Sequence, residues 1–296
     1  MRPWQAGAVW GEVGAVALPR DLDLFALEGA LWVASRPVGV PAYDFAFERF
    51  FACRRPYQRP TEVTAVGRLG APEDYPATWA ALAATGLRLV NDPAAHERAS
   101  ELPAWYPRIQ ALTPRSRWYE APPSADEVEA AFGWPVFVKG ARQTARHAAG
   151  LAIARDKPAY EALRASYLAD PILTWQACVI REYVPLVPVG PGTPGKVPAS
   201  FEFRTFWWRG ALVGAGRYSL DVPEYRWSDA EARAALAVGA AAAARVDVPF
   251  LVVDLALTAA GRWVVIECND GQEAAYAGVS AVALWRAILD HEAAAL

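Results

Sequence analysis

The stretch VVIECND, at residues 264–270, ends an apolar run in a group of oxygen-bearing side chains. Glu267, Asn269 and Asp270 fall within four residues of one another. A polar turn after a strand would explain such a group, because carboxylates and amides hydrate readily. The same side chains could instead bind a cation, because carboxylate and amide oxygens are ligands that hard metal ions prefer.

A second acidic residue supports the cation-binding interpretation. Asp254 lies within the apolar run FLVVDLAL, and a buried aspartate is costly unless it is paired or metal-bound. The intervening residues TAAG, at 258–261, predict an antiparallel hairpin. If Asp254 faces Val265, Glu267 lies on the diagonal, and Asp254, Glu267 and Asn269 project from one surface. Oxygen-only ligands are typical of Mg²⁺.

A basic hairpin precedes the acidic one. FEFRTFWW and ALVGAGRYS are joined by Arg209 and Gly210, a two-residue link suited to a hairpin turn. A simple register places Glu202 opposite Arg217, with Arg204 on the same face. The two arginines could neutralise phosphoryl oxygens. Alternatively, Glu202 and Arg217 form a cross-strand ion pair and Arg204 is exposed.

Lysine is rare in this chain: of 29 lysine and arginine residues, only three are lysines. One of them, Lys139, ends the apolar strand GWPVFVKG on the same face as Phe137 and precedes a loop of small residues. Such a lysine is placed to bind a nucleotide phosphate, although many strands end in lysine. Its rarity here favours a functional role.

The segment WQACVIREYVPLV ends in the charged pair Arg181 and Glu182. At a junction between subdomains, such a segment could offer backbone groups to an adenine edge while a carboxylate accepts from the exocyclic amine. A salt-bridged strand end is the alternative. Residues 185–199 contain five prolines and predict a surface excursion.

The remaining pattern predicts a mixed α/β chain of three parts. A serine N-cap, an acidic first turn and a closing glycine predict a helix at 124–133. The later elements are a hairpin at 201–218, a helix at 229–245, a hairpin at 249–268 and a helix at 279–294. The predicted domains are 1–110, 111–184 and 185–296.

Composition argues against several classes of function. The net charge of −3 and pI near 5.7 disfavour a nucleic acid partner or an anionic membrane surface. The three cysteines, Cys53, Cys178 and Cys268, are far apart and show no zinc-binding spacing. No stretch approaches the roughly 18 apolar residues of a membrane span. We expect a cytoplasmic protein whose cysteines serve packing.

The order of these segments resembles the ATP-grasp superfamily, in particular the RimK-like peptide ligases and the R2K clade, over roughly residues 88–294. The resemblance implies an α/β (α+β) ATP-grasp fold with an N-terminal pre-ATP-grasp domain. It implies ATP and Mg²⁺ as cofactors. The implied roles are phosphate binding by Lys139, an adenine hinge at Glu182, Tyr183 and Val184, basic contacts to the transferred phosphate from Arg204 and Arg217, and magnesium ligation by Asp254, Glu267 and Asn269. Arg98 is the nearest stand-in for the family's first basic residue.

The resemblance implies an ATP-dependent carboxylate–amine ligase that acts through an acylphosphate. Its partners would be a small-molecule or peptide carboxylate and an amine acceptor, and a homodimer is possible. No protein nucleophile is needed, in keeping with the absence of a Ser/His/Asp or Cys/His arrangement. A non-catalytic nucleotide-binding module and a phosphotransferase on the same scaffold are the alternatives.

Overall fold

The computed structural model of the protein describes residues 63–68, 72, 74–84, 87–142, 152–171, 173–190 and 197–294. Residues 1–62, more than half of the predicted N-terminal domain, lie outside this set. The strands are β1 Val63–Ala65, β2 Leu87–Leu89, β3 Ser116–Tyr119, β4 Val136–Gly140, β5 Ile153–Ala154, β6 Cys178–Glu182, β7 Glu202–Trp208, β8 Ala211–Arg217, β9 Phe250–Leu257 and β10 Trp263–Asp270. The α-helices are α1 Tyr75–Ala83, α2 Pro93–Ser100, α3 Leu102–Ile109, α4 Ala125–Phe132, α5 Lys157–Ala169, α6 Asp229–Val246 and α7 Ala281–Ala294.

Strands β3 to β6 form the first sheet, in the order β3-β6-β4-β5 with antiparallel neighbours. Side chains alternate across it. Val136 and Val138 pack into an apolar cluster with residues of α4 and α5. Phe137 and Lys139 project from the other face and line a cavity, which confirms the prediction that they share a face.

Strands β7 to β10 form the second sheet, in the order β10-β9-β7-β8, again antiparallel. One face packs against α3 and α6 through residues such as Trp207 and Leu255. On the opposite face, α7 covers an apolar half that includes Phe206 and Val252. The other half of that face carries charged side chains, described below.

Local sequence signals account for the boundaries of several elements. In the predicted helix at 124–133, the Ser124 hydroxyl accepts from the Glu127 N–H at 3.3 Å, and the Glu127 carboxylate accepts from the Ser124 N–H at 2.8 Å. Gly133 ends the helix with φ 71°. This reciprocal cap satisfies two amides that a helix N-terminus leaves unpaired, and the prediction of this helix is confirmed.

The turns of the two hairpins differ from each other. Arg209 (φ 46°) and Gly210 (φ 81°) form the predicted two-residue link, in which both residues are left-handed. In the second hairpin, the Thr258 N–H donates to the Arg262 carbonyl at 2.8 Å, which leaves a three-residue loop with Gly261 at φ 77°. The predicted four-residue connection is wrong by one residue.

The N-terminal part of the described chain contains the parallel pair β1 and β2 with α1 between them. Helices α2 and α3, which a boundary at residue 110 assigns to the first domain, pack against the second sheet. Leu102 and Trp105 of α3 share a buried cluster with Trp207 and Leu251. The three-domain division stays a prediction.

The proline-rich excursion runs beside the end of β9. The Val187 N–H donates to the Leu257 carbonyl at 2.9 Å, and the Val189 N–H donates to the Ala199 carbonyl at 3.0 Å. No helix among the described residues is long and apolar enough to cross a membrane.

Candidate functional site

A row of charged side chains crosses the polar half of the second sheet. Arg204 of β7 pairs with Asp254 of β9, and Asp254 pairs with Glu267 of β10. Directly opposed residues of antiparallel strands project from the same face, so the three side chains form one line. All three residues are buried. The prediction that Asp254 and Glu267 share a surface is confirmed.

The register that aligns them depends on a bulge in β10. Trp263 pairs with Leu257, and the register then skips Ile266, so that Glu267 pairs with Asp254. The sequence had predicted Val265 opposite Asp254, which is wrong. With the three-residue turn alone, Glu267 would project from the face opposite to Asp254. The bulge places two residues of β10 opposite one of β9, and this shift of one residue puts Glu267 on the same face as Asp254.

The Arg204–Asp254 pair is bidentate. Nε donates to Oδ1 at 2.9 Å and Nη2 donates to Oδ2 at 2.7 Å, while Nη1 donates to the Ala275 carbonyl at 2.8 Å. The Tyr218 ring lies 4.9 Å from the guanidinium carbon. Burial alone lowers the pKa of Arg204, but the adjacent Asp254 carboxylate outweighs it and the net pKa is raised. Arg204 is therefore a permanent cation anchored at three nitrogens.

The first sheet contributes a second cation. Lys139 lies at the end of β4 and is 3% exposed, and its ammonium donates a hydrogen bond to the Glu267 carboxylate. Beside it, Arg181 of β6 donates from Nη1 to the Ile266 carbonyl at 2.6 Å and from Nε to the Ser116 hydroxyl at 2.9 Å. The two sheets thus meet at the β10 bulge through buried charges.

A cavity of about 440 Å³ lies between the sheets. Its apolar lining includes Phe137, Ile153, Leu186 and Ile266. The predicted hinge residues line it together with the predicted phosphate-binding lysine: Glu182, Tyr183, Val184 and Lys139. An apolar cleft with a few convergent polar groups is the usual form of a small-molecule site.

Asn269 tests whether Mg²⁺ suits the site. It pairs with Val252, two positions from Asp254, and so lies on the same face as the carboxylates. Its Nδ2 atom is buried and has no hydrogen-bond partner in the part of the chain that the structure describes. Rotating the amide by half a turn would present Oδ1 instead, an oxygen that Mg²⁺ accepts. These donors fit the ion, although no cluster of three or more His, Cys, Asp or Glu side chains with metal-binding geometry occurs among the described residues.

Residues 92–288 match the family described as ATP-grasp domain, R2K clade family 3. The chain belongs to this family. Members of the ATP-grasp superfamily are ATP-dependent ligases. No curated protein matches the chain in sequence.

Solved ATP-grasp structures have the same fold. The RimK domain ATP-grasp protein from Sphaerobacter thermophilus is similar with TM-score 0.52 and 18% identity, over 76% of this chain and 79% of that one. The D-alanine–D-alanine ligase from Bacillus anthracis, complexed with ATP, is similar with TM-score 0.53 and 15% identity, over 78% of this chain and 79% of that one. At these identities the likeness shows the ATP-grasp fold alone, and the predicted α/β fold class is confirmed.

Arg217 does not join the charged row in this ATP-grasp sheet. The register of β7 and β8 skips Val213, which places Arg217 opposite Phe203 and Arg204 opposite Gly216. The predicted pairing of Arg217 with Glu202 is therefore wrong. The bulge shifts Arg217 by one residue, so that it projects from the face opposite to Arg204. Arg217 does not line the cavity described above.

Arg98 is also removed from the cavity. Its Nη2 donates to the Asp247 carbonyl at 3.2 Å, at the C-terminus of α6. On α2, His96 and Ser100 both contact Asp270 of β10. Because residues four apart share a helix face, Arg98 lies on a different face from these two. Arg98 does not line the cavity, and its role in nucleotide binding stays a prediction.

Asp270, the last acid of VVIECND, projects to the side opposite Glu267 and Asn269. It is fully buried and accepts from Asn91 Nδ2 at 2.7 Å and from the Gln272 N–H at 2.8 Å, with His96 Nδ1 at 3.1 Å. It holds α2 and the loop after β10 to the sheet. The acidic strand end is therefore divided: Glu267 and Asn269 face the candidate site, whereas Asp270 is structural.

The loop after β10 carries a further buried carboxylate, Glu273. It accepts from Arg142 Nη2 at 3.3 Å and lies 3.4 Å from His96 Nδ1. Burial raises the pKa of Glu273 to about 7, opposed by His96 and Arg142 and reinforced by Asp270. Arg142 follows Lys139 by three residues, so this contact joins the loop after β10 to the chain that leaves β4.

Sequence reasoning missed the roles of Arg181, Ile266 and Tyr218. From the sequence, Arg181 had no role of its own except in the alternative of a salt-bridged strand end, yet it binds the bulge carbonyl and lines the cavity. Strand alternation could have identified it, because Arg181 pairs with Phe137 and so shares a face with Lys139. No sequence signal marks the bulge at Ile266.

Proposed function

We propose that the protein is an ATP-dependent ligase that joins a carboxylate to an amine through an acylphosphate, with Mg²⁺ as the metal. One observation carries this proposal: in a chain of the ATP-grasp family, Lys139 and Glu267 come from two different sheets and meet beside a cavity of about 440 Å³. Buried charges in a cleft are uncommon without a functional reason.

The nucleotide would occupy this cavity. The backbone at Glu182 to Val184 would meet the adenine edge, and Phe137, Ile153 and Leu186 would contact the base. Lys139 would bind a phosphate oxygen. Arg204 would stabilise negative charge on the transferred phosphate. The apolar lining would exclude water from the reacting groups.

The reaction would proceed in two steps. A carboxylate oxygen of the first substrate attacks the γ-phosphorus of ATP, and the bond to the bridging oxygen breaks to release ADP. The amine of the second substrate then attacks the acyl carbon, loses a proton and displaces inorganic phosphate. Asp254, Glu267 and Asn269 would hold Mg²⁺, which supplies charge neutralisation of the phosphates when bound. The chain's own contribution is to hold the phosphate and both substrates in line.

Its net charge of −3 favours a free amino acid or peptide substrate over nucleic acid. We also propose a cytoplasmic location, in keeping with the cysteine usage. Cys178 and Cys268 are both buried, and burial raises their pKa values, which suits packing residues rather than nucleophiles.

Hydroxylamine trapping tests the chemistry without knowledge of the amine. The protein is incubated with Mg-ATP and hydroxylamine against a panel of amino acid and peptide carboxylates, and ADP and hydroxamate are measured. A ligase yields both in equal amounts, and Asn269→Ala lowers both while Arg98→Ala does not. ADP with a stable phosphoester instead indicates a phosphotransferase. Nucleotide binding with neither product indicates a non-catalytic module.

A further inference from the structure

Four buried charges in the site neutralise one another. Two are acids that would bind the metal, Asp254 and Glu267, and two are cations that would bind phosphate, Arg204 and Lys139. Every one of them is at most 9% exposed. The carboxylates that would bind the metal are therefore paired with the cations that would bind the nucleotide.

This pairing has a thermodynamic consequence for ligand binding. If Lys139 turns to a phosphate, Glu267 loses its ammonium partner while it stays buried beside a polyanion, and breaking a buried ion pair is strongly unfavourable. A divalent cation at Glu267 removes that penalty. Conversely, a metal that binds Glu267 takes this carboxylate away from Lys139 until a polyanion arrives. Each ligand therefore supplies the counter-ion that the other displaces.

The two pairs differ in how readily they can exchange partners. Arg204 is fixed by a fork to Asp254 and a third bond to the Ala275 carbonyl. Lys139 is a single ammonium on a flexible stem with rotatable donors. Asp254 can bind a metal while it keeps Arg204, because a carboxylate offers about four lone-pair sites. The pair that exchanges partners when ligands bind is therefore Lys139 and Glu267.

We propose that Lys139 and Glu267 are internal counter-ions that separate only when metal and nucleotide bind together, so that this pair sets a positive coupling between the two ligands. The inference rests on the proposed function, because it assumes that the site takes Mg-ATP. It goes further by proposing that Glu267 weakens the binding of nucleotide in the absence of metal.

Calorimetry with ATP, in EDTA and in excess Mg²⁺, tests the coupling on the full chain. For the native protein we expect ATP to bind about 5- to 150-fold more weakly without metal, the usual range of coupling between sites. In Glu267→Gln, metal-free ATP should bind at least about tenfold more tightly than in the native protein, because Lys139 is released. Mg-ATP should bind more weakly, because a ligand is lost. Asp126→Asn, which removes the carboxylate of an exposed pair with Lys157, should change neither affinity.

The mirror experiment uses Mn²⁺ with nucleotide-free protein. Lys139→Gln should bind Mn²⁺ more tightly than the native protein, because Glu267 is released. This measurement also decides the matter if Glu267→Gln does not fold.

The outcomes separate the two proposals. If the native protein binds ATP in neither condition, the proposed function fails. If it binds ATP equally well with and without Mg²⁺, or if Glu267→Gln leaves metal-free binding unchanged or weakens it, the counter-ion inference fails and nucleotide binding stands. Unchanged or weaker Mn²⁺ binding by Lys139→Gln likewise overturns the inference.

Discussion

Glu267 lies directly opposite Asp254 in the antiparallel pairing of β9 and β10, because β10 bulges at Ile266. Two buried carboxylates on adjacent strands would repel each other if both were unpaired. Each instead has its own cation, Arg204 from the same sheet and Lys139 from the other. The contact between Lys139 and Glu267 thus joins the two sheets as well as the two halves of the candidate site.

Removing one member of this pair should destabilise the fold. Lys139→Met leaves Glu267 buried without its ammonium partner, and we expect a loss of about 3–5 kcal/mol in the free energy of unfolding. The double variant Lys139→Met/Glu267→Met should recover most of that loss, because it replaces both charges with apolar side chains. Urea unfolding of the three proteins measures the effect. A double variant as unstable as the single one would show that the pair does not act as a unit.

Asn269 should matter for activity and not for stability. Its amide nitrogen is buried without a partner in the described structure, so Asn269→Ala breaks no hydrogen bond of Nδ2 and the melting temperature should stay within about 2 °C. If Asn269 holds Mg²⁺, ADP release should fall by about ten- to a hundredfold, the loss expected for one interaction with a charged group. Activity equal to that of the native protein would remove Asn269 from the metal site.

Asp270 should behave in the opposite way to its neighbour. Asp270→Ala removes the acceptor of the Gln272 N–H and one of the two acceptors of Asn91 Nδ2, whose other bond is to the Phe250 carbonyl, and we expect a loss of about 3 kcal/mol or more. Thermal unfolding of Asn269→Ala and Asp270→Ala, side by side, measures this difference. Equal melting temperatures would contradict the structural role assigned to Asp270.

The sequence correctly predicted elements that begin or end at capping or turn residues. Ser124 and Glu127 cap α4 as expected, and Arg209 and Gly210 form the expected turn. These features depend on residues close in the chain, and their physical causes are local. The alternation of side chains in β4 likewise placed Lys139 and Phe137 on one face without any knowledge of tertiary contacts.

The strand registers could not be predicted to the residue, because bulges leave no compositional mark. The skipped residues Ile266 and Val213 are ordinary β-formers within apolar runs. In β10 the shorter turn and the bulge compensate, so Asp254 and Glu267 share a face despite the wrong register. In β8 the turn is as predicted and does not offset the bulge, so Arg217 does not lie in the predicted row of charged side chains. The counter-ion of Glu267 comes from a different sheet, 128 residues away in sequence, which no local pattern indicates.

The predicted role of Arg98 in nucleotide binding can be tested directly, because Arg98 does not line the cavity. Arg98→Ala removes a bond to the exposed C-terminus of α6, which is worth about 1 kcal/mol or less. We expect the affinity for Mg-ATP, measured by calorimetry, to remain within about twofold of the native value. A loss of tenfold or more would support the predicted role of Arg98 as a nucleotide-binding residue.

Glu273 should make stability depend on pH. Its pKa is raised from 4.5 to about 7, mainly by burial. Between these values the folded protein binds a proton that the unfolded chain has lost. The contribution of this group to stability is therefore fully present below pH 4.5 and is lost as the pH rises through about 7. At about 1.4 kcal/mol per pKa unit, the change amounts to roughly 3 kcal/mol.

The variant Glu273→Gln isolates this contribution, because it keeps the shape and cannot titrate. The free energy of unfolding of the native protein minus that of the variant should fall as the pH rises from 5 to 8. Arg142, His96 and Asp270 face the same group and are present in both proteins. Urea unfolding at each pH gives the measurement, and Glu161→Gln, an exposed site, is the matched control. A difference that rises with pH would mean that Glu273 is held charged by Arg142 and that its burial does not set its pKa.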